Sequence, residues 1–245
     1  MSPRRWRPSH RCLRPRAWAA RPLWMARTSA GEASASGTVR WSALRSRSIC
    51  LIISGSREIA MVDANHAYDA MTAIRLGRLI EPCDIAWFEE PVVPESLDGY
   101  REVRAALRIP IAGGEAECTR FGFRDLITRR CVDILQPDIC ACGGFTEAPR
   151  IAALASAWGV TVSPHVWGSA VGLHASREWA AALPPNPAAL VPGELWFELD
   201  RTENPFRERL SSEPVARAGD LIEVPTRPGL GVGVGRSVLA RYRAG

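Results

Sequence analysis

Lysine is absent from this sequence of 245 residues, so all 31 of its basic residues are arginines. A guanidinium group stays protonated, so none of these side chains can accept a proton as a base. Runs of about 18 uninterrupted apolar residues are also missing, which argues against a membrane-spanning helix. The seven cysteines include no C-x-x-C pair. Their irregular spacing favours reduced, mostly buried thiols in a cytosolic protein over a disulfide framework.

The formal net charge of +5 conceals two regions of opposite sign. Residues 1–54 contain 11 arginines and one acid, whereas residues 55–245 contain 20 arginines and 25 acids. A mildly acidic body therefore follows a basic leader, and the charge of the whole chain says little about the partners of the body. We expect no nucleic acid and no membrane among those partners.

The leader, residues 1–54, shows no sustained helical or strand period. Its Arg-rich and Ser-rich composition is also found in transit peptides, and its mixture of Arg and Trp would suit an arm that binds nucleic acid. We expect instead a disordered tail, or a stretch translated from an unnatural start or a shifted frame. In either case the leader should add no regular strand to the barrel that the rest of the chain predicts below. The exception is the apolar run CLIIS at residues 50–54, which suits pairing with a neighbouring strand.

From residue 55 onward, short apolar strands alternate with stretches of helical spacing. The predicted strands lie within residues 58–65, 85–91, 109–115, 132–138, 160–166 and 195–200, and the predicted helices lie within residues 67–81, 97–107, 121–131, 144–159 and 170–183. This order is typical of parallel βα units. Residues 55–245 therefore predict one α/β domain, a (β/α)8 barrel of the TIM type that is incomplete, with about six βα units.

Polar residues follow these predicted strands at a regular interval: Asp63, Glu89, Glu115, Asp138, His165 and Glu198, separated by 26, 26, 23, 27 and 33 residues. A βα unit of a barrel takes about 30 residues, since roughly 250 residues make eight units. The carboxyl ends of barrel strands converge on one mouth, where active sites are built. The sequence thus predicts that these side chains meet at that mouth.

The first three of these residues are carboxylates on consecutive predicted strands. Three anions in a small volume repel one another unless a cation lies between them, and oxygen ligands favour Mg²⁺. Each acid alone would fit a solvated loop equally well, but the trio at this spacing favours a metal site. Glu90, which follows Glu89 directly, either supports the site or takes the ligand position itself, and spacing leaves that choice open.

Asp138 and His165 end adjacent predicted strands, and a carboxylate beside an imidazole fixes its tautomer and raises its basicity. A lone histidine is more often a packed core residue, but its place in the series favours a general base or acid. Glu198 ends the series, where it would protonate or hydrogen-bond a substrate oxygen. The glycine-rich run at residues 228–235 lies too near the C-terminus for a phosphate loop.

Taken together, the pieces VDAN, WFEEP, GGE, QPD, PHVWG and FELD make residues 55–245 resemble the enolase superfamily, in its mandelate racemase/muconate lactonizing enzyme subgroup. Longer pieces, such as DILQPDICACGGF, resemble the D-galactarolactone cycloisomerase and acid-sugar dehydratase branch. The resemblance implies Mg²⁺ ligands, catalytic residues and substrate-binding residues as follows: Asp63, Glu89 and Glu115 as ligands; His165, Asp138 and Glu198 in catalysis; Asn65, His66 and Trp167 at the substrate.

The resemblance also implies a cytoplasmic enzyme of carbohydrate-acid catabolism. It would abstract the proton α to a carboxylate in an acid sugar or its lactone, as a cycloisomerase or a dehydratase, and stabilise the enediolate. Its partner would be this small-molecule carboxylate, and family members are often homo-oligomers. A racemase or epimerase of another carboxylate, and a catalytically inactive fragment, are the alternatives.

Two departures from the family pattern bear on activity. The family carries a Lys-x-Lys motif at the end of the second barrel strand, and this chain has no lysine. The family also carries a large α+β capping domain, for which the 62 residues before Asp63 leave too little room. We therefore expect an N-terminally truncated chain with very poor turnover.

Overall fold

The structure is a computed structural model that describes residues 59–184, 193, 195–200, 202–218 and 221–243, together with the backbone of two strands before them. The described strands are β1 Arg14–Trp18, β2 Cys50–Ser54, β3 Ile59–Asp63, β4 Phe88–Glu89, β5 Ile111–Gly113, β6 Ile134–Leu135, β7 Thr161–Val162, β8 Trp196–Asp200, β9 Arg217–Ala218 and β10 Leu221–Ile222. The described α-helices are α1 Ala70–Ile80, α2 Leu97–Ala106, α3 Thr119–Thr128, α4 Gly144–Ala157, α5 Ala170–Ala182, α6 Pro205–Glu208 and α7 Arg236–Arg241.

Strands β3 to β7 lie side by side in sequence order, and every neighbouring pair among them is parallel. An α-helix follows each of these strands and also β8, so six βα units succeed one another as the sequence predicts. Parallel neighbours joined by helical crossovers bring all the carboxyl ends to one edge of the sheet. The predicted α/β architecture is confirmed in this order of elements.

Two segments of the leader pair with the body. Strand β2 runs antiparallel to β3, which confirms the pairing expected for residues 50–54. Strand β1 pairs in parallel with β8, so the prediction that the leader adds no regular strand is wrong at Arg14–Trp18. Such a long-range pairing leaves no local period to detect in the sequence. The other predictions for residues 1–54 lie outside the described residues.

Side chains of the sheet alternate between two faces. Val62 and Phe88 are buried in a large core that includes residues of the helices, whereas Met61 and Trp87 belong to a separate cluster on the other face of the strands. Because side chains on a strand alternate with a period of two, a residue two positions beyond Met61 or Trp87 also faces inward. This alternation explains which polar residues enter the mouth.

Side-chain caps set where the helices begin. Asp69 accepts a hydrogen bond of 2.8 Å from the Thr72 N–H at the start of α1, and the Ser169 hydroxyl accepts one of 3.5 Å from the Gly172 N–H at the start of α5. Such caps satisfy backbone donors that the first turn leaves unpaired. They end the loops that follow β3 and β7, and those loops carry residues of the site.

The five described cysteines are all free: Cys83, Cys118, Cys131, Cys140 and Cys142. Only Cys131 and Cys142 are buried, so the expectation of mostly buried thiols is wrong for the described residues. Cys140 and Cys142 lie in a turn after β6 rather than on a strand, because the strand has already ended at Leu135.

No helix in the described part of the chain combines the length and the apolar character needed to cross a membrane.

His174 is buried on α5, where its Nε2 lies 3.1 Å from the Ser211 hydroxyl oxygen. That hydroxyl donates to the Glu213 carbonyl, so Nε2–H donates to the hydroxyl, and Nδ1 has no hydrogen-bond partner among the described residues. Burial, reinforced by the charge of Arg177, lowers the pKa of His174 to about 4. The neutral ring is therefore the form that the folded chain accommodates.

Acid should destabilise the chain through His174. The unfolded chain protonates this residue near pH 6.5, so the stabilisation is complete above that pH and is lost as the pH falls from about 6.5 towards 4. We expect His174→Gln to reduce the loss of unfolding free energy between pH 7 and pH 4.5 by roughly 2 kcal/mol. Urea unfolding at the two pH values measures this difference, and an unchanged loss in the variant would contradict the assignment.

Candidate active site

Asp63 and Glu89 are the last residues of β3 and β4, and the strand register places them side by side. Each lies two positions beyond an inward-facing residue, Met61 or Trp87, so both carboxylates enter the mouth. Their exposed fractions are only 3% and 1%. The Trp87 indole N–H donates to Glu89 Oε2 at 2.8 Å, whereas Glu89 Oε1 is buried without a hydrogen-bond partner among the described residues.

Glu115 reaches the mouth through a glycine turn after β5. Gly114 has a φ of +116°, a conformation that side chains rarely adopt, and a Cβ there would lie 3.0 Å from the Phe123 ring. The turn brings Glu115 Oε2 to 3.4 Å from Nε2 of His165. The third predicted carboxylate therefore lies beside the predicted base.

Asp138 and His165 lie in the loops after β6 and β7, which are joined by a parallel backbone bridge between these two residues. His165 Nδ1 lies 2.8 Å from Asp138 Oδ2, while Asp138 Oδ1 accepts from the Cys140 backbone N–H at 2.7 Å. With Nδ1–H donated to Asp138, Nε2 is the nitrogen that faces the mouth. Burial alone would lower the pKa of His165, but Glu198, Asp138 and Glu115 raise it to about 10.

Glu198 lies in the middle of β8 rather than at its end. It still faces inward, because Trp196, two positions earlier, packs against the inner cluster. Glu198 Oε2 accepts from the Val166 N–H at 2.7 Å, and Oε1 is buried without a hydrogen-bond partner among the described residues. Burial, with Glu89 adding to it, raises the pKa of Glu198 well above its ordinary value. In its protonated form Glu198 is suited to donate a hydrogen bond to a substrate oxygen, whereas its ionised form is the one that raises the pKa of His165.

The carboxylates at the mouth act on one another. Burial, followed by the charges of Glu89 and Glu115, raises the pKa of Asp63 to about 8, and burial also raises the pKa of Glu115. Buried, mutually repelling oxygen donors with an unpartnered Glu89 oxygen are the chemistry that suits Mg²⁺. Among the described side chains, no three of His, Cys, Asp or Glu are placed to hold one metal ion as they stand. The sharing of one cation by this trio stays a prediction.

The three residues expected at the substrate lie in loops at the same edge. Asn65 and His66 follow β3, and Trp167 follows His165 in the loop after β7. Asn65 has an exposed side chain and Trp167 is 60% exposed, so both are accessible to a ligand. His66 instead contacts Glu90, a residue to which the sequence alone gave only a supporting or an alternative ligand role.

The sequence alone gave no role to Gln136, a buried polar residue between β6 and Asp138. It lies two positions after Ile134, which packs against the inner cluster, and two before Asp138. Gln136 is 3% exposed, and its Oε1 has no hydrogen-bond partner among the described residues. The period of two through Ile134 and Asp138 was the available signal.

Comparison with protein families gives one match, to the model described as "Enolase C-terminal domain-like", over residues 39–238. The match begins before residue 55, where the sequence pattern placed the start of the domain.

Among curated proteins, the chain is similar to D-galactarolactone cycloisomerase of Agrobacterium fabrum, with 46% identity over 183 residues, which are 75% of this chain and 48% of that protein. Two similar solved structures are 3,6-anhydro-D-galactonate cycloisomerase from Zobellia galactanivorans and L-talarate dehydratase from Polaromonas sp. JS666, the latter complexed with Mg and L-glucarate. The first has a TM-score of 0.70 at 43% identity and covers 77% of this chain and 51% of its own. The second has a TM-score of 0.64 at 33% identity, covering 76% and 47%. The chain spans about half the length of these relatives.

Proposed function

Because the chain belongs to the Enolase C-terminal domain-like family, we propose that it removes the proton α to the carboxylate of an acid sugar or of its lactone. The similar proteins are acid-sugar cycloisomerases and dehydratases, which supports this kind of reaction. The observation that carries the proposal is the His165–Asp138 pair, whose free nitrogen faces Glu115 and the other buried carboxylates at the mouth. The partner is then a small-molecule carboxylate. A cytoplasmic location is part of the proposal, and the free thiols of the described residues are consistent with a reducing compartment.

His165 is the proposed base. Asp138 accepts Nδ1–H, so Nε2 is the nitrogen that faces the substrate. The carboxylates that raise the pKa of His165 to about 10 favour the protonated ring, and a bound cation that offsets their charge would favour the neutral ring, which can accept the α-proton. A positioned general base of this kind typically contributes about 10²- to 10⁴-fold to a proton transfer. Glu198, in its protonated form, donates a hydrogen bond to the oxygen on which negative charge develops.

Asp63, Glu89 and Glu115 are the residues that would hold Mg²⁺. The presence of Mg in the similar L-talarate dehydratase structure supports this assignment. When bound, Mg²⁺ offsets the negative charge that grows on the substrate carboxylate as the α-proton leaves. In this chain, the burial of Asp63 and Glu89 keeps water from weakening that interaction.

The absence of lysine favours a second candidate, a chain that binds Mg²⁺ and the acid sugar but turns it over very slowly. Arginine cannot replace a lysine base, because it remains protonated. The two candidates differ in rate and share one site.

Exchange of the α-proton for deuterium tests the proposal directly. Purified chain with Mg²⁺ in D₂O should incorporate deuterium at the α-carbon of galactarate or galactarolactone, as followed by NMR, and EDTA should stop the exchange. Mandelate, which has no β-oxygen to eliminate, separates exchange from elimination. If no substrate exchanges above the protein-free rate, the proposal is wrong, while exchange without net product identifies the slow candidate.

A further inference from the structure

Gln136 is a buried polar residue to which the proposed reaction gives no task. It is 3% exposed, and its Oε1 has no hydrogen-bond partner among the described residues. A buried amide oxygen without a partner costs free energy, so a chain that retains one calls for an explanation. An apolar side chain of similar shape, such as methionine, would occupy the same space without that cost.

The backbone directs the side chain of Gln136 to the inner face of the sheet. Strand pairing continues beyond β6, because the Gln136 N–H donates to the Gly113 carbonyl at 2.9 Å. Leu135 is buried in the large core that includes the helices, whereas Ile134 packs against the cluster on the opposite face. Because side chains along a strand alternate with a period of two, Gln136 lies on the same face as Ile134 and, two positions further on, Asp138.

The residues on either side of Gln136 are small. Continuing the register of β5, β6 and β7 by one residue places Gly114 beside it on β5 and Ser163 beside it on β7. A Cβ on Gly114 would lie 3.7 Å from the Gln136 backbone nitrogen, which agrees with this register. Gly114 has no polar side-chain atom, and the Ser163 hydroxyl donates to the Trp196 carbonyl at 3.4 Å. These two neighbours therefore leave the Gln136 amide available to a ligand.

The surroundings of Gln136 favour a hydroxyl group as its partner. Glu115 follows the neighbouring strand β5, and Glu198 faces inward from β8 with its Oε1 also buried and without a partner among the described residues. Negative charge on a ligand would be repelled by these acids in their ionised form, whereas a neutral group would not. A hydroxyl both donates and accepts a hydrogen bond, so it pairs with either end of the amide.

We propose that Gln136 determines specificity by hydrogen-bonding one hydroxyl of the acid sugar, an assignment that rests on the proposed function. The substrate carboxylate is directed to the predicted metal ligands after β3, β4 and β5, and its α-carbon to His165 after β7. Strand β6 lies between β5 and β7, so a hydroxyl close to the α-carbon comes nearest to Gln136. A site that hydrogen-bonds a substrate hydroxyl rejects the analogue without it, because the polar group of the site is then left unpaired.

Gln136→Met tests the contact by removing the amide with little change in shape. In the presence of Mg²⁺, the variant should bind galactarolactone about 10- to 100-fold more weakly than the unmodified chain, as measured by isothermal titration calorimetry. Analogues of the lactone that each lack one free hydroxyl locate the contact. One analogue should bind both chains equally, because it lacks the hydroxyl that Gln136 holds, and the others should show the full weakening.

The stability of the ligand-free chains separates this role from a structural one. Because Gln136 Oε1 lacks a partner, Gln136→Met should melt at the same temperature as the unmodified chain or at a higher one. A lower melting temperature, an equal loss for every analogue, no loss for the lactone, or no binding of the lactone to the unmodified chain would each overturn the assignment. Calorimetry needs no turnover, so a hydroxyl contact found without any α-exchange would remove the proposed reaction and leave the contact in place.

Discussion

Deuterium exchange at the α-carbon should fall by about 10²- to 10⁴-fold when His165 is replaced by asparagine. The reason is geometric, since His165 places Nε2 3.4 Å from Glu115 Oε2 while Asp138 holds the other nitrogen at 2.8 Å. Asparagine retains a hydrogen-bonding amide but accepts no proton at neutral pH. NMR of the substrate in D₂O with saturating Mg²⁺ measures the rate for each chain.

Asp138→Asn is the comparison that distinguishes the base from its support. The asparagine carbonyl can still accept from His165 Nδ1–H, so the ring keeps its orientation but loses a neighbouring negative charge. We expect a loss smaller than that of His165→Asn. Exchange at the unmodified rate in His165→Asn, with Mg²⁺ still required, would show that another group takes the α-proton.

Much of the site follows from two local rules. The interval between polar residues at predicted strand ends marked Asp63, Glu89 and Glu115, and the period of two within a strand explains why Asp63 and Glu89 face inward. Glu198 shows how the rules combine, because it lies in mid-strand yet still points inward from β8. Residue types and their spacing were enough to find these residues, because both rules relate positions within one strand or in neighbouring βα units.

Other features depend on contacts that no local pattern encodes. The pairing of β1 with β8 joins segments about 180 residues apart along the chain, and the composition of the leader predicted none of it. The contact of His66 with Glu90 depends on positive φ at both residues, and such backbone conformations have no clear signature in HAY or EEP. A periodic pattern identifies residues that recur at a fixed interval, whereas each of these contacts is a single event that no repeat in the sequence indicates.

Replacing Asp63 with asparagine should change the stability of the chain in opposite directions without and with Mg²⁺. Its carboxylate is buried beside Glu89, and burial together with the charge of Glu89 raises its pKa to about 8. Asp63→Asn keeps the shape of the side chain and removes one of the repelling groups. In EDTA, the variant should therefore be more stable than the unmodified chain, by about 1–3 kcal/mol of unfolding free energy.

With Mg²⁺ present, the unmodified chain should be more stable than Asp63→Asn. A cation that binds only the folded chain stabilises it by about 2.7 kcal/mol when its concentration is 100 times the dissociation constant. Asp63→Asn removes an anionic ligand, so Mg²⁺ should raise its melting temperature far less than that of the unmodified chain. Asp125→Asn is the matched control, because that side chain is 44% exposed and forms an ion pair with its neighbour Arg124, away from the predicted metal ligands. The melting temperature of each chain, measured in EDTA and at increasing Mg²⁺ concentrations, tests both predictions. If Mg²⁺ raises the melting temperature of Asp63→Asn as much as that of the unmodified chain, Asp63 is not a ligand.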